Sequence, residues 1–557
     1  MLKKSIIPLF LLVFLVSCKK EAVVTPTPTS GSVSVLTQHN DNLRTGLNNQ
    51  ETILTTSNVN PKQFGKIFTL PVDDEVYSQP LVVGDLPAGS GTKTIVLIAT
   101  VNNSVYEFDG NTGALIWNKN FTEAGMRPPN IDDISNNWTE PYKDFTYNIG
   151  IVGTPVIDPV SRTIYFVARS TNGTNFYQYL HAVSIVSGID VPGSPVIISA
   201  NVPGTGDGNV NSKVYFDPFR NNQRQGLTLV KGVVYLTYAS HADTSPYHGW
   251  ILGYDSQTLQ QIIVYNDTPG GEDGGIWESG MGMAADKDGN LYITTGNGTV
   301  GQGAQYPPVI SETIVNDPNP DPTDLSNRAE SAMKLTPSGS TLKVSSYFTP
   351  SNYTDLNALD NDYGSMGTLL IPNSNYYFTG GKDGNIYLLN KDAMGGYSAS
   401  SNQVQQTISI NGPMLFQPAY YAGKSNEFVY VWSDEDNLRA LPFDRTNNTF
   451  SSPQIVSNLS SPAGSIGIVM SASSNGVTDG TGILWTSYNT SPKPNHAAGP
   501  GNLRTFDAND ITKEMWNSNQ IPCVSPGKFA KFSAPTIANG HVYLATFSNQ
   551  VIVYGLK

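Results

Sequence analysis

Cysteine is nearly missing from this chain: there are two in 557 residues, at positions 18 and 523. That excludes a disulfide framework, a Cys-x-x-Cys-His haem attachment and a cysteine-based zinc cluster. Histidine is scarce as well, six in all, and no His-Glu-x-x-His run supplies a helical metal site. Only 14% of residues are charged, and they leave a net charge of −13. An acidic surface of that kind repels nucleic acid and anionic lipid, so neither is an expected partner. Past the first residues no run is long and apolar enough for a membrane-spanning helix, and helical periodicity is nearly absent.

The amino terminus is the exception to the missing apolar runs. Lys3 and Lys4 precede Ile6 to Val16, an apolar stretch broken once by Pro8. It is too short for a permanent span and has the layout of a secretory signal, residues 1–17. Leu15-Val16-Ser17-Cys18 resembles the lipobox of bacterial lipoproteins, which implies cleavage before Cys18 and lipidation of its thiol. Cys523 would then have no partner for an intrachain disulfide. Residues 18–33 alternate Thr with Pro and read as an extended tether, leaving 34–557 as one domain. The expected location is the bacterial envelope, lipid-anchored on the periplasmic or cell-surface side of the outer membrane.

What the chain has in abundance is glycine (52), proline (37) and tyrosine (28), a composition that points to an all-β protein. The clearest unit is Thr94 to Trp117: strand, tight turn, strand, an Asp turn with Thr-Gly, then a strand carrying Trp. Weaker copies fall at 162–188, 232–259, 290–339, 375–392, 427–444, 482–510 and 540–556. Each is preceded by a further short apolar strand, often beside Pro80, Pro155, Pro418 or Pro535. Eight four-stranded units predict an eight-bladed β-propeller. The last unit runs out after three strands, and Gly65 to Val72 is expected to supply its fourth, which removes the open sheet edges. Seven blades is the alternative, because the stretch from Pro453 to Asn519 is irregular. The spacing, roughly 60 residues per blade, exceeds a minimal blade, and the surplus sits in loops such as Gly301 to Asn327.

Phe108-Asp109-Gly110-Asn111-Thr112-Gly113 through Trp117 resembles the blade motif of quinoprotein alcohol dehydrogenase-like propellers, with Phe in place of Ala. Elsewhere the motif is eroded: Asp255 and Asp507 keep its acid, and Trp516 its indole. More specifically the chain resembles bacterial PQQ-like proteins, through Asn42-Leu43-Arg44-Thr45-Gly46, Asn222-Gln223-Arg224, His241 with Tyr247-His248-Gly249-Trp250, and Gly275-Ile276-Trp277. The adjacent cysteine pair found in many PQQ-dependent alcohol dehydrogenases is missing.

In a propeller the loops leading into the inner strands, and those joining second to third strands, share one face around the central channel. Polar and aromatic residues collect in those loops: Glu75, Asp144, Gln223, Arg224, Glu272, Asp273, Trp277, Asp360 and Asp362, faced by His241, Asp243 and Lys382. Glu272, Asp273, Asp360 and Asp362 offer hard oxygen ligands for Ca²⁺, although the same residues suit turns that tighten loops. Arg224 beside Gln223 suits a carboxylate or a salt bridge to another blade. Trp277 and Trp250 suit stacking or packing between blades.

Three functions remain open. The first is a monomeric lipoprotein that binds a glycan, small molecule or protein partner on the loop-rich face, without catalysis. The alternative, implied by the resemblance, is a PQQ- and Ca²⁺-dependent dehydrogenase of an alcohol or sugar. There Glu272, Asp273, Asp360 or Asp362 would hold the metal, Arg224 and Gln223 the quinone, and Trp277 its flat face. Asp243 or His241 would be the base. The third is a scaffold for outer-membrane assembly. Neither PQQ nor Ca²⁺ is certain from the sequence.

Overall fold

The computed structural model describes residues 31–557 apart from 89–90, 136–140, 303–320, 465, 492–497 and 521–524. The signal segment, Cys18 and Cys523 lie outside the described residues. Among those described, no helix is long and apolar enough to cross a membrane.

Eight antiparallel blades follow one another along the chain. Blade 1 comprises Leu81–Ala88, Gly91–Ala99, Ser104–Asp109 and Leu115–Asn120. Blades 2 to 6 start on Val156–Asp158, Thr228–Val230, Ala284–Ala285, Leu369–Leu370 and Ala419–Ala422. The irregular stretch before Asn519 is a blade like the others, with Val469–Ser473, Ile483–Ser487, Arg504–Asp507 and Asp510–Asn517. The number is therefore eight rather than seven. Blade 8 has three strands from the carboxyl end (Thr536–Ala538, His541–Ala545 and Gln550–Leu556) and takes Phe64–Pro71 as its outermost. Phe64 lies opposite Leu556 and Pro71 opposite Gln550. The ring is thus closed by the two ends of the chain, as the missing fourth strand predicts.

Local chemistry explains why the repeated motif makes a blade. Asp109 Oδ1 accepts hydrogen bonds from the Asn111 and Thr112 amides and from the Thr112 hydroxyl. Asp255 makes the same three bonds in blade 3, to Gln257 and Thr258. The carboxylate replaces the backbone bonds a tight turn gives up. Trp117, at the motif's end, donates its Nε1–H to Glu107 within blade 1 and to the Ile185 carbonyl of blade 2. Its indole latches neighbours together. Between the blades the inward faces of the strands bury apolar side chains, such as Trp485, Trp516 and Phe64 between blades 7 and 8.

The channel is not open. Residues 33–50 form a strap that runs inside the ring and visits every blade in order. Val33 exchanges hydrogen bonds with Asn539 of blade 8, and Val35 pairs with Val82 of blade 1. The carbonyls of Leu36, Asn42, Leu43, Thr45 and Gly46 accept from inner-strand amides of Ile157, Ala285, Leu370, Tyr420 and Ala472. Thr37 reaches the Leu227 carbonyl of blade 3. Asn48 returns to blade 8 through the Ile537 carbonyl. These contacts fall on or beside the innermost strands, so the strap lines the inside of the ring.

Arg44 is the hub of the strap. It is fully buried and its guanidinium donates to the carbonyls of Gln38, Leu227 and Met283 and to Thr37 and Thr228. Burial lowers its pKa to about 10, against the pull of Asp41 and Glu278, so it stays charged at neutral pH. Gly46 holds φ at +67°, and a Cβ there would lie 2.7 Å from the His39 ring. The strap can turn under the histidine only with glycine at that point.

Candidate functional site at the channel mouth

Above the strap, the loops of blades 2 to 5 bring together most of the residues singled out from sequence. Two successive non-glycine residues, Ala242 and Asp243, hold φ at 45° and 53°, a costly left-handed conformation that clusters at functional loops. Tyr247 Oη donates to Asp243 Oδ1 at 2.9 Å. Burial, then the charges of Asp362 and Asp360, push the Asp243 carboxyl up to about 7. This is an acid that changes state near neutrality.

Opposite it stands a knot built by blades 4 and 5. Lys382 Nζ contacts Asp362 Oδ2 at 2.6 Å and Asp360 Oδ1 at 3.2 Å. Asn297 ties the same two acids, its amide to Asp362 Oδ1 at 3.0 Å and its Nδ2 to Asp360 Oδ1 at 2.7 Å. Gly296 makes this approach possible, since a Cβ there would lie 2.1 Å from Asp362 Oδ1 and 2.7 Å from the Trp277 ring. Glu272 and Asp273 belong to the neighbouring loop. Burial, then Asp207, raises Glu272 to about 8. Asp273 accepts from Ser245 Oγ at 3.2 Å and is held well above the usual carboxylate range by burial and by Glu272.

The other half of the mouth is cationic and aromatic. Arg224 lies over the Trp277 ring at 5.5 Å and the Phe532 ring at 4.7 Å, and Nη2 donates to the Trp277 carbonyl at 3.3 Å. Burial lowers its pKa, while Asp144, Asp362 and Asp243 among others pull the other way. Arg224 Nε and Trp277 Nε1 are buried N–H groups without a hydrogen-bond partner. Gln223 donates to the Gln225 carbonyl, and its Oε1 is buried with no partner.

His241 sits deeper. Arg169 Nη1 faces Nε2 at 2.9 Å and Tyr142 Oη faces Nδ1 at 2.9 Å. Because arginine can only donate, Nε2 accepts, which fixes the neutral Nδ1–H tautomer. Burial, then Arg169, holds the ring well below its ordinary pKa. With both nitrogens engaged, His241 braces the loop that carries Asp243. Trp250 is completely buried against Phe216 and faces no ligand space. Sequence reasoning did not single out Asn297, Tyr142, Arg169 or Phe532 as parts of this site. Asn297, in the Gly-Asn-Gly of a loop joining second to third strands, carried the only usable signal.

A quinone and a calcium ion fare differently against these residues. The unpartnered N–H groups of Arg224 and Trp277, beside aromatic rings, fit the oxygen-rich edge of a flat acidic ligand. Calcium does not fit the four acids proposed for it. Asp360 and Asp362 already share the ammonium of Lys382. Among the described residues no group of three His, Cys, Asp or Glu side chains converges as a metal cage.

No known family model matches the chain, and no curated protein does so at a significant level. Solved structures do share the fold. A quinohemoprotein alcohol dehydrogenase from Pseudomonas putida HK5 superposes with TM-score 0.57 at 12% identity, over 94% of this chain and 80% of that one. The quinohemoprotein alcohol dehydrogenase of Comamonas testosteroni gives 0.56 at 12%, with the same coverage. A europium-containing methanol dehydrogenase gives 0.53 at 10%, over 94% of this chain and 98% of that one. The chain therefore shares its propeller fold with these three dehydrogenases.

Proposed function

We propose that the channel mouth is the active site of a quinone-dependent dehydrogenase acting on an alcohol or a sugar hydroxyl. The supporting observation is the Asp243 carboxyl, held by Tyr247, whose ring lies 6.5 Å from that of Trp277, and acting by its charge on Arg224; Arg224 Nε and Trp277 Nε1 are buried donors without partners. The fold shared with three dehydrogenases agrees with this reading. Arg224 and Gln223 would hold the quinone's oxygens and Trp277 its ring edge. A bound quinone would supply the acceptor for the hydride, two electrons together with the carbinol hydrogen, that leaves the carbinol carbon. Asp243 Oδ takes the hydroxyl proton, oriented by Tyr247 and by the loop that His241 braces. The Lys382 ammonium offsets the charge of Asp360 and Asp362. The protein would act as a monomer in the bacterial envelope, anchored through Cys18.

Titration of the purified protein with PQQ, followed by absorbance and thermal shift, is expected to saturate. The double variant Arg224→Ala/Trp277→Ala is expected to abolish that binding. With an artificial electron acceptor, kcat should rise with pH through about 7, as Asp243 loses its proton. Asp243→Asn should lower kcat by roughly 10²- to 10⁴-fold, the usual worth of a general base. Lack of binding at saturating PQQ would sink the enzyme. The second reading is a non-catalytic site for a glycan, small molecule or protein partner. It is favoured by the Arg224 guanidinium, which already covers one face of Trp277.

A further inference from the structure

We propose that Lys382 is a built-in substitute for a metal ion: its ammonium fills the oxygen-lined slot between Asp360 and Asp362, and removing it turns that slot into a site for a hard multivalent cation. The inference holds whether or not the mouth carries a quinone.

The geometry of the slot carries the argument. Three oxygens surround Lys382 Nζ: Asp362 Oδ2 at 2.6 Å, the Asp360 carbonyl at 3.0 Å and Asp360 Oδ1 at 3.2 Å. Two of the ammonium's three N–H donors go to Asp360, and Asp362 meets it as an ion pair. Asp360 can present its carbonyl and its carboxylate to one point because its backbone is left-handed, with φ at 54°. The lysine is also held from behind, since its own amide donates to the Asp362 carbonyl at 3.1 Å. It sits on the short turn between Tyr376–Gly380 and Asn385–Asn390, which leaves it little freedom to swing away.

Without the ammonium, what remains is a donor set for a hard cation. Asp360 contributes a carboxylate and a carbonyl, and Asp362 a carboxylate that is 4% exposed. Asn297 ties both acids, and its Oδ1 is buried without a partner. Behind them Glu330 is fully buried. Its Oε2 accepts from the Tyr363 amide and its Oε1 has no partner. Carboxylate and carbonyl oxygens are the ligands calcium and the lanthanides take, with water completing the shell. In the native protein a divalent ion would have to displace a charged group that already satisfies both acids, and the two cations would repel each other at contact distance.

Tryptophan-sensitised terbium luminescence of the purified protein tests this directly. The wild type is expected to give no saturable emission. Lys382→Ala and Lys382→Met are each expected to bind Tb³⁺ at least about 30-fold more tightly than the wild type, reversibly on adding excess Ca²⁺, as hard-cation competition requires. Asp362→Asn placed in the Lys382→Ala background should remove the gain. Circular dichroism establishes that each variant is folded, and the methionine variant keeps the lysine's apolar stem should alanine loosen the turn. Wild-type binding as tight as that of Lys382→Ala overturns the proposal. So does a folded Lys382→Ala or Lys382→Met that gains nothing, and so does a gain that survives Asp362→Asn.

Discussion

Arg44→Met is expected to cost on the order of 5 kcal/mol of stability, enough to leave much of the protein unfolded at moderate temperature. Methionine keeps the apolar stem but none of the donors. The Gln38 carbonyl would then be buried without a partner, and those of Leu227 and Met283 would keep only the hydroxyls of Thr37 and Thr228; each hydrogen bond lost from a charged donor is worth about 1.5–3 kcal/mol. Domains of ordinary stability have only about 5–15 kcal/mol in total, so one side chain accounts for a large share. Equilibrium urea unfolding followed by tryptophan fluorescence measures it. Arg44→Lys should recover part of the loss, because an ammonium cannot reach all five acceptors at once. A methionine variant within about 1 kcal/mol of wild type would show that the strap is held by its backbone bonds alone.

The protein should also become less stable as the pH rises from 6.5 to 8.5. Burial lifts Asp243 and Glu75 to about 7, and Glu272 and Glu278 to about 8. Asp267, Asp273 and Glu330 are raised well above the ordinary range for the same reason. In the unfolded chain these groups ionise near pH 4. Between that value and their folded pKa the native state holds protons that the unfolded chain has lost. Stability is therefore fully present below the unfolded values and is lost as pH climbs through 7 to 8. Buried histidines work the other way. His39 is lowered to about 4, and His241, His248 and His541 are lowered as well. Their stabilisation is present above pH 6.5 and is lost as pH falls below it. The histidines flatten the curve on the acid side; on the alkaline side the carboxyls set the slope, opposed by Lys531, whose pKa burial lowers. The melting temperature should drop by at least about 5 °C between pH 6.5 and 8.5. Asp243→Asn with Glu278→Gln should flatten that limb. A flat or rising wild-type curve over this range would contradict the assignment.

The blades were legible because their cause is local. An Asp with Thr three residues later makes the same turn wherever it occurs, as at Asp109 and Asp255, and alternating apolar residues mark strands regardless of partner. The closing strand was legible for the opposite reason, as a gap: three strands at the carboxyl end demanded a fourth. Residues 33–50 offered no such cue. Their bonds run from backbone carbonyls to inner strands hundreds of residues away, and no side-chain period records that. Asn42 to Gly46 stood out only as a likeness to other proteins, without a reason. At the mouth, most of the sequence-selected residues gather, because loop position in a propeller fixes which face they share. What the sequence could not convey was who neutralises whom. Asp360 and Asp362 read as calcium ligands in one dimension, and Lys382 answers them from the hairpin turn of the next blade. Likewise His241 reads as a base until Arg169 and Tyr142, from a different blade and a long loop, occupy its nitrogens.

The strap has a consequence for the order in which the molecule can be made. Its residues are synthesised before any blade, yet their partners run from Gln79 to Asn539. Val33 and Asn539 are 506 positions apart. The first part of the domain to emerge is thus the last that can be seated. Blades can form one by one from local pairings, but the ring can lock only after the carboxyl-terminal strands arrive and the waiting segment is drawn in. Such long-range closure is slow compared with hairpin formation. Until it happens, the nascent chain is an open crescent with an exposed strand edge at each end, the state in which it is most vulnerable to association with a second copy.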